Sequence, residues 1–204
     1  MGQGESVVSF QVDEAQVAAL VRGDPSAFAA VFRKHNASMI RVAHGICGSR
    51  AVAEEVAQEA WLSVLKSMAS FEGRSSLAGW IFAILINKAR SRARIEGRSV
   101  SFDGEEDNTL ADAFDGRGHW KNMPELWDEI TPERILQGKT ALEVVTAAID
   151  SLPPAQRSVL ILRSQQGLES AEICAALQIS EGNMRVLLHR ARLAVRAALE
   201  KSLR

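Results

Sequence analysis

The stretch LESAEICAALQISEGNMRVLLHRARLAVR, residues 168–196, decides the fold. A short segment with helical apolar spacing runs from Ser170, which can cap it, to Leu177. Gln178-Ile179-Ser180 follows as a turn, and Ser180 can cap a longer basic helix. Two helices joined by a turn of this length make a helix-turn-helix pattern. In that motif the second helix enters the major groove and its exposed N-terminal side chains meet base edges. Arg185 and His189 lie four apart and share a face, with Arg192 on an adjoining turn. Arginine reads guanine through two hydrogen bonds, histidine donates to a base acceptor, and Val186 suits a thymine methyl. Arg190, Arg192 and Arg196 suit phosphates, which add affinity without sequence information. An ordinary amphipathic helix with a solvated basic face has the same pattern, since helix-turn-helix shapes also occur without DNA.

Working outward, Leu152-Pro153-Pro154 breaks the chain between a helix over about 140–151 and one running to about Gln166, before Gly167. Residues 10–98 are also helical, with clear punctuation. Asp13 to Arg22 forms a short amphipathic helix ending at Gly23, and Asp24-Pro25 supplies an N-cap and a first-turn proline. Phe28, Val31, Phe32, Met39, Ile40, Val42 and Ile46 continue a helix to Gly48. From Ser49, a third helix places Val52, Val56, Trp61, Leu62, Leu65 and Met68 close to one face. After Phe71–Ser76, with Ser75 or Ser76 as cap, a fourth helix carries Leu77, Trp80, Ile81, Ile84 and Leu85 and then turns basic.

Between these halves lies a different composition. Residues 99–138 hold ten acidic and three basic side chains, interrupted by Gly104, Gly116, Gly118, Pro124 and Pro132. This is a linker. The whole chain of 204 residues has a net charge of −1, from 24 Lys plus Arg and 25 Asp plus Glu. Taken alone that argues against a nucleic-acid binder. Split by segment, 10–98 carries 12 basic and 8 acidic residues, and 139–204 carries 9 and 6. Two basic domains are joined by an acidic tether. With aromatics at only 5%, no Tyr and abundant Ala, the composition favours helix packing over a sandwich or barrel. The expected fold is all-α, with a helical bundle over 10–98, an acidic linker over 99–138 and a helix-turn-helix domain over 139–204.

Other classes fall away. The apolar run around Trp80–Ile86 is far short of the ~20 residues that span a bilayer. MGQGESVVSFQVDE has no basic region followed by an apolar core, so no secretory signal is expected. Cys47 and Cys174 read as buried, reduced thiols, and four scattered His build no zinc site. No phosphate-binding GxxxxGK[ST], HExxH or GxSxG occurs, so no catalytic residue, metal or cofactor is expected.

Two further faces carry chemistry. Lys88, Arg90, Arg92, Arg94 and Arg98 follow the segment bearing Trp80 and Phe82, and their field suits a polyanion. The polar loop with Phe71 beside them can receive an unstacked base. Trp80 also fits core packing, through its spacing with Leu77, Ile81 and Ile84. In AEEVAQEAW, Glu55, Gln58, Glu59 and Leu62 fall on one helix face that suits a basic protein surface; a merely solvated face is the plain alternative.

The chain resembles bacterial extracytoplasmic-function sigma factors of the two-domain minimal type. The residues that carry the resemblance are LVRGDPSAFAAVFRKH, AEEVAQEAWLSV, FEGRSSLAGWIFAILINKARSRAR and LPPAQRSVLILRSQQGLESAEICAALQISEGNMRVLLHRARLAVRAAL, in the family's order and spacing. The resemblance implies a promoter-specificity subunit that binds core RNA polymerase. Glu55, Gln58, Glu59 and Leu62 would meet the β′ clamp helices, and the second domain the β-flap tip. Phe71, Arg74, Ser75, Trp80, Asn87, Lys88 and Arg90 would recognise and melt the −10 element of promoter DNA. Asn183, Arg185, Val186, His189, Arg190 and Arg192 would serve the −35 element. Relatives usually have Gly at the position of Gln178 and Ala at that of Cys174. The resemblance further implies an anti-sigma factor as inhibitor, free or tethered to the membrane. It also implies a cytoplasmic place, with the nucleoid when bound to polymerase, and no membrane insertion. Trp120 and Trp127 would anchor the linker on polymerase or across the domains. Modest charge on each domain predicts weak DNA binding without polymerase. The competing reading is a helix-turn-helix regulator with its own dimer or sensor surface over 10–98. Only a sigma factor makes core polymerase start specifically, so a run-off assay separates the two.

Overall fold

The computed structural model describes residues 14–97, 102 and 139–202. Among these, helices account for the regular structure, and no strand occurs. Helix α1 spans Glu14–Val21. Gly23, at φ +75°, turns the chain into Asp24, whose carboxylate accepts from the Ser26 amide at 2.8 Å. With Pro25 fixing the first turn, α2 runs Pro25–Cys47 and stops at Gly48, at φ +70°. Helix α3 is Arg50–Ser67, followed by a 3-10 turn over Met68–Ser70. Helix α4 is Leu77–Ile95, capped by the Ser76 hydroxyl, which accepts from the Gly79 amide at 3.0 Å.

Helices α2, α3 and α4 pack pairwise around Met39, Ile46, Val56, Phe82 and Leu85, all essentially inaccessible. Each large apolar side chain so buried contributes roughly 1.5–3 kcal/mol. Alanines 53, 57 and 60 on α3 and 89 and 93 on α4 allow close helix approach. Trp61 closes one end. It meets the Phe28 ring edge-on at 5.5 Å, and its Nε1 donates to Asn36 Oδ1 at 3.0 Å. One expectation fails here. Leu62 and Leu65 are exposed (56% and 52%), and the buried stripe is Ala53, Val56, Ala57, Ala60, Trp61 and Val64. At about 100° per residue, Leu62 lies far around the helix from Val56.

Beyond the linker, α5 is Lys139–Ser151 and α6 is Pro154–Leu160. The expected continuous helix to Gln166 instead widens into a π-type turn over Ile161–Gln165, closed by the Gln166 amide on the Ile161 carbonyl. Helix α7 is Ser170–Leu177 and α8 is Glu181–Ser202. Ser170 is the first helical residue of α7 and not its cap. The extended backbone lies at Glu169, which forms a capping box with Glu172. Ser180 caps α8 as expected, accepting from the Asn183 amide at 3.1 Å.

The two helical units share one continuous apolar core. Gly45 of α2 stands against Pro154 of α6, and α4 faces α7. Polar pairs rim the seam. His35 Nδ1 pairs with Gln166 Oε1, Ser38 with Gln165 and Gln166, and Arg41 with Asp150 at 2.9 Å. The linker expectation, with Trp120 and Trp127, lies outside the described residues apart from Phe102.

Candidate nucleic-acid interface

The turn before α4 positions the first set of expected contacts. The Phe71 and Trp80 rings lie 5.2 Å apart, tilted by 55°. Trp80 is half-buried, so it serves both the core and the surface. Arg74 is exposed and pairs with Glu72 at 2.9 Å. Arg74, Ser75, Trp80 and Asn87 line one groove of about 440 Å³, which is also lined by Glu172 of α7 and by Gln178 just after that helix. A polar rim, an aromatic face and an exposed amide suit an unstacked base. Lys88 is half-buried on the same helix. Arg90 departs from the expected arrangement. Its guanidinium donates to the carbonyls of Ala176 and Leu177, and lies 5.3 Å from the centre of the Phe102 ring.

Helix α8 presents the second set. Arg185 Nη2 pairs with Glu181 at 2.8 Å, one turn earlier. Asn183 Nδ2 donates to the Phe102 carbonyl at 3.1 Å. Val186, His189, Arg190 and Arg192 are half-buried. Burial, helped by the Arg192 charge, lowers the His189 pKa, so the ring is neutral at pH 7. A neutral ring offers one donor and one acceptor to a base edge. Gln178 takes the left-handed turn residue, at φ +52°.

The third face is on α3. Glu55, Gln58, Glu59 and Leu62 are all exposed, on one side of the helix. Spacing did not reveal Arg92 as part of this face. Its guanidinium forks across Glu55 at 3.0 Å and Glu59 at 2.8 Å, which fixes the two carboxylates one turn apart. The hydrogen bond to Glu55 leads the effects that raise its pKa. Arg92 therefore belongs with these acids and not with the polyanion field of its own helix.

Glu172 is the other residue that sequence reasoning passed over. It is buried at 9% exposure, and its carboxylate accepts from the Ser76 amide and hydroxyl. Cys47 is buried, and Cys174 is only half-buried, against expectation. Burial still raises the Cys174 pKa and keeps it a thiol. No helix among the described residues is long and apolar enough to cross a membrane.

Comparisons with known proteins bear on the family and the fold. The family model for Sigma-70 region 2 matches residues 31–99, and that for Sigma-70 region 4 matches residues 142–195. The chain is 35% identical over 156 residues to a Haemophilus influenzae protein named "Probable RNA polymerase sigma factor", covering 74% of this chain and 79% of that one. It is 28% identical over 189 residues to the "ECF RNA polymerase sigma-E factor" of Escherichia coli K12, covering 90% and 92%. Among solved structures, the sigma factor RpoE from Bartonella quintana, in complex with the anti-sigma factor NepR, superposes with a TM-score of 0.52. Its identity is 21%, with 85% of this chain and 96% of that one covered. CnrH, in complex with the cytosolic domain of CnrY, gives a TM-score of 0.50 at 18% identity, covering 93% and 97%. These two likenesses speak to the fold.

Proposed function

The chain belongs to the extracytoplasmic-function RNA polymerase sigma factors, and from that premise we propose a task for each face described above. It is a promoter-specificity subunit of RNA polymerase and not an enzyme. The exposed face of Glu55, Gln58, Glu59 and Leu62 on α3 docks on the polymerase clamp. The groove of Arg74, Ser75, Trp80 and Asn87, with Phe71, Lys88 and Arg90 beside it, captures bases of the −10 element. Asn183, Arg185, Val186, His189, Arg190 and Arg192 on α8 read the −35 element as duplex. The two heads correspond to residues 10–98 and 139–204, with 99–138 between them.

The observation that carries this reading is the separation of chemistries. One face pairs carboxylates with an exposed leucine, as a protein surface requires. The other two combine cations, amides and aromatic or imidazole rings, as nucleic acid requires. Capturing flipped bases offsets the few kcal/mol of unstacking that melting costs. Alone, each head binds DNA weakly, and polymerase sets the spacing that makes two weak contacts act together. An anti-sigma partner is proposed by likeness to the Bartonella complex, and the site of action is the cytoplasm. The test is run-off transcription with core polymerase and a promoter library. A defined start site that depends on this chain supports the reading, and random initiation overturns it. Leu62→Lys is expected to weaken core-polymerase binding at least tenfold while the melting temperature stays put, since Leu62 is exposed.

A further inference from the structure

Arginines from three helices converge on a cavity of about 490 Å³. Arg41 and His44 of α2, Arg50 of α3, Thr146 and Asp150 of α5, and Arg157 of α6 line it. Two of these cations already have a carboxylate. Arg41 meets Asp150 at 2.9 Å, and Arg50 meets Glu54 at 2.9 Å in an exposed pair. Arg157 differs from both, since it has no ion pair among the described residues. Its Nη2 donates to the Leu152 carbonyl at 3.0 Å, and its Nη1 reaches His44 Nδ1 only at 3.4 Å. Its Nε is buried without an acceptor. Burial lowers the Arg157 pKa; Asp150 opposes this, and the like charge of Arg41 adds to it.

A cation drawn out of water is costly unless a counter-charge accompanies it. The chain gives Arg157 no carboxylate of its own, and the cavity beside it has the size of an ordinary small-molecule site. Other donors face the same volume. A guanidinium only donates, so His44 Nδ1 accepts from Arg157 and the ring keeps an Nε2 proton to give. The Thr146 hydroxyl adds one more donor. Guanidiniums on separate walls suit an anion with several acceptor oxygens, and their fork matches phosphate. We propose that this cavity is a binding site for a small phosphate compound, held between Arg41 and Arg157 with His44 as a further donor. A free inorganic anion and the phosphate end of a nucleotide share this chemistry. None of these residues belongs to the faces given above to polymerase or promoter DNA, so the site stands or falls independently of them.

The test is calorimetric titration of the full chain with pyrophosphate and, separately, with adenosine diphosphate, at fixed ionic strength so that general screening stays constant. The expected result is one saturable site with a Kd of about 1 mM or tighter for at least one of the two. Arg157→Gln and Arg41→Gln should each weaken it about tenfold or more. Lys66→Gln should leave it unchanged, because Lys66 is exposed and lies about 24 Å along α3 from Arg50 at 1.5 Å per residue. Asp150→Asn should tighten binding several-fold, because it frees Arg41 from its carboxylate. That gain is the decisive measurement, since a purely structural ion pair would give no such gain, and it remains readable if an arginine variant fails to fold. Tighter binding of the nucleotide than of pyrophosphate supports the site with a nucleotide as its ligand. The reverse order supports it with an inorganic anion. Absence of saturable heat with both probes overturns the proposal. So does binding that Arg157→Gln, shown folded by circular dichroism, leaves unchanged, or that Asp150→Asn fails to tighten.

Discussion

Gln178 holds the turn between α7 and α8 at φ +52° and ψ 47°, where a side chain is costly. Among the described residues it is the one non-glycine at positive φ. Gln178→Gly is therefore expected to stabilise the chain by about 1 kcal/mol, measured by urea denaturation. The position of that turn was legible in the sequence, because two apolar periodicities bracket it. Arg185 was legible in the same way, from its four-residue spacing to His189. Arg185→Ala should weaken −35 binding by about 1–3 kcal/mol and relax preference at one base position, read from a library of substituted promoters. Unchanged transcription from the cognate promoter would show that the register on α8 is wrong. Glu172 and Arg92 were not legible. Glu172 meets Ser76, 96 residues away, and Arg92 meets acids 37 and 33 residues earlier. Local periodicity carries no information on partners brought together only by tertiary packing.

Helix ends were the most readable elements, because caps act within four residues. Asp24, Ser76 and Ser180 each accept from a backbone amide at the start of the helix they precede. Asp24→Ala is expected to cost about 1 kcal/mol, seen as a lower melting temperature with the same final baseline. Glu169 escaped notice because Ser170 offers the commoner capping side chain, while the extended backbone sits one residue earlier. The π-type turn over Ile161–Gln165 had no signature in composition. It brings Gln165 and Gln166 to Ser38 and His35, a purpose visible only once the two units are together. On α3, six apolar residues over two faces looked like one stripe. Val56 and Trp61 are packed, but Leu62 and Leu65 face out, and the small Ala53, Ala57 and Ala60 complete the buried stripe, because close helix approach favours the smallest side chains.

Net charge misled until it was divided by segment, and even the divided charge left one thing out. It described two heads on a tether and did not show that their cores are continuous. His35, 3% exposed at the seam, ties this packing to pH. Burial lowers its pKa below 6.5; the Gln166 hydrogen bond opposes this and Lys34 adds to it. The separated or unfolded chain thus binds the proton more readily. Stability is full above about pH 6.5 and is lost as pH falls through the lowered folded-state value. Urea midpoints between pH 5 and 7.5 should fall on the acid side, and His35→Gln should flatten that slope.

The shared core also bears on how fast the chain can join its polymerase. A partner that needs both heads spread waits for the seam to part, so the closed form sets a unimolecular step ahead of full docking. In stopped-flow mixing, the observed rate of holoenzyme formation should climb with polymerase concentration and then level off. The plateau is the opening rate itself.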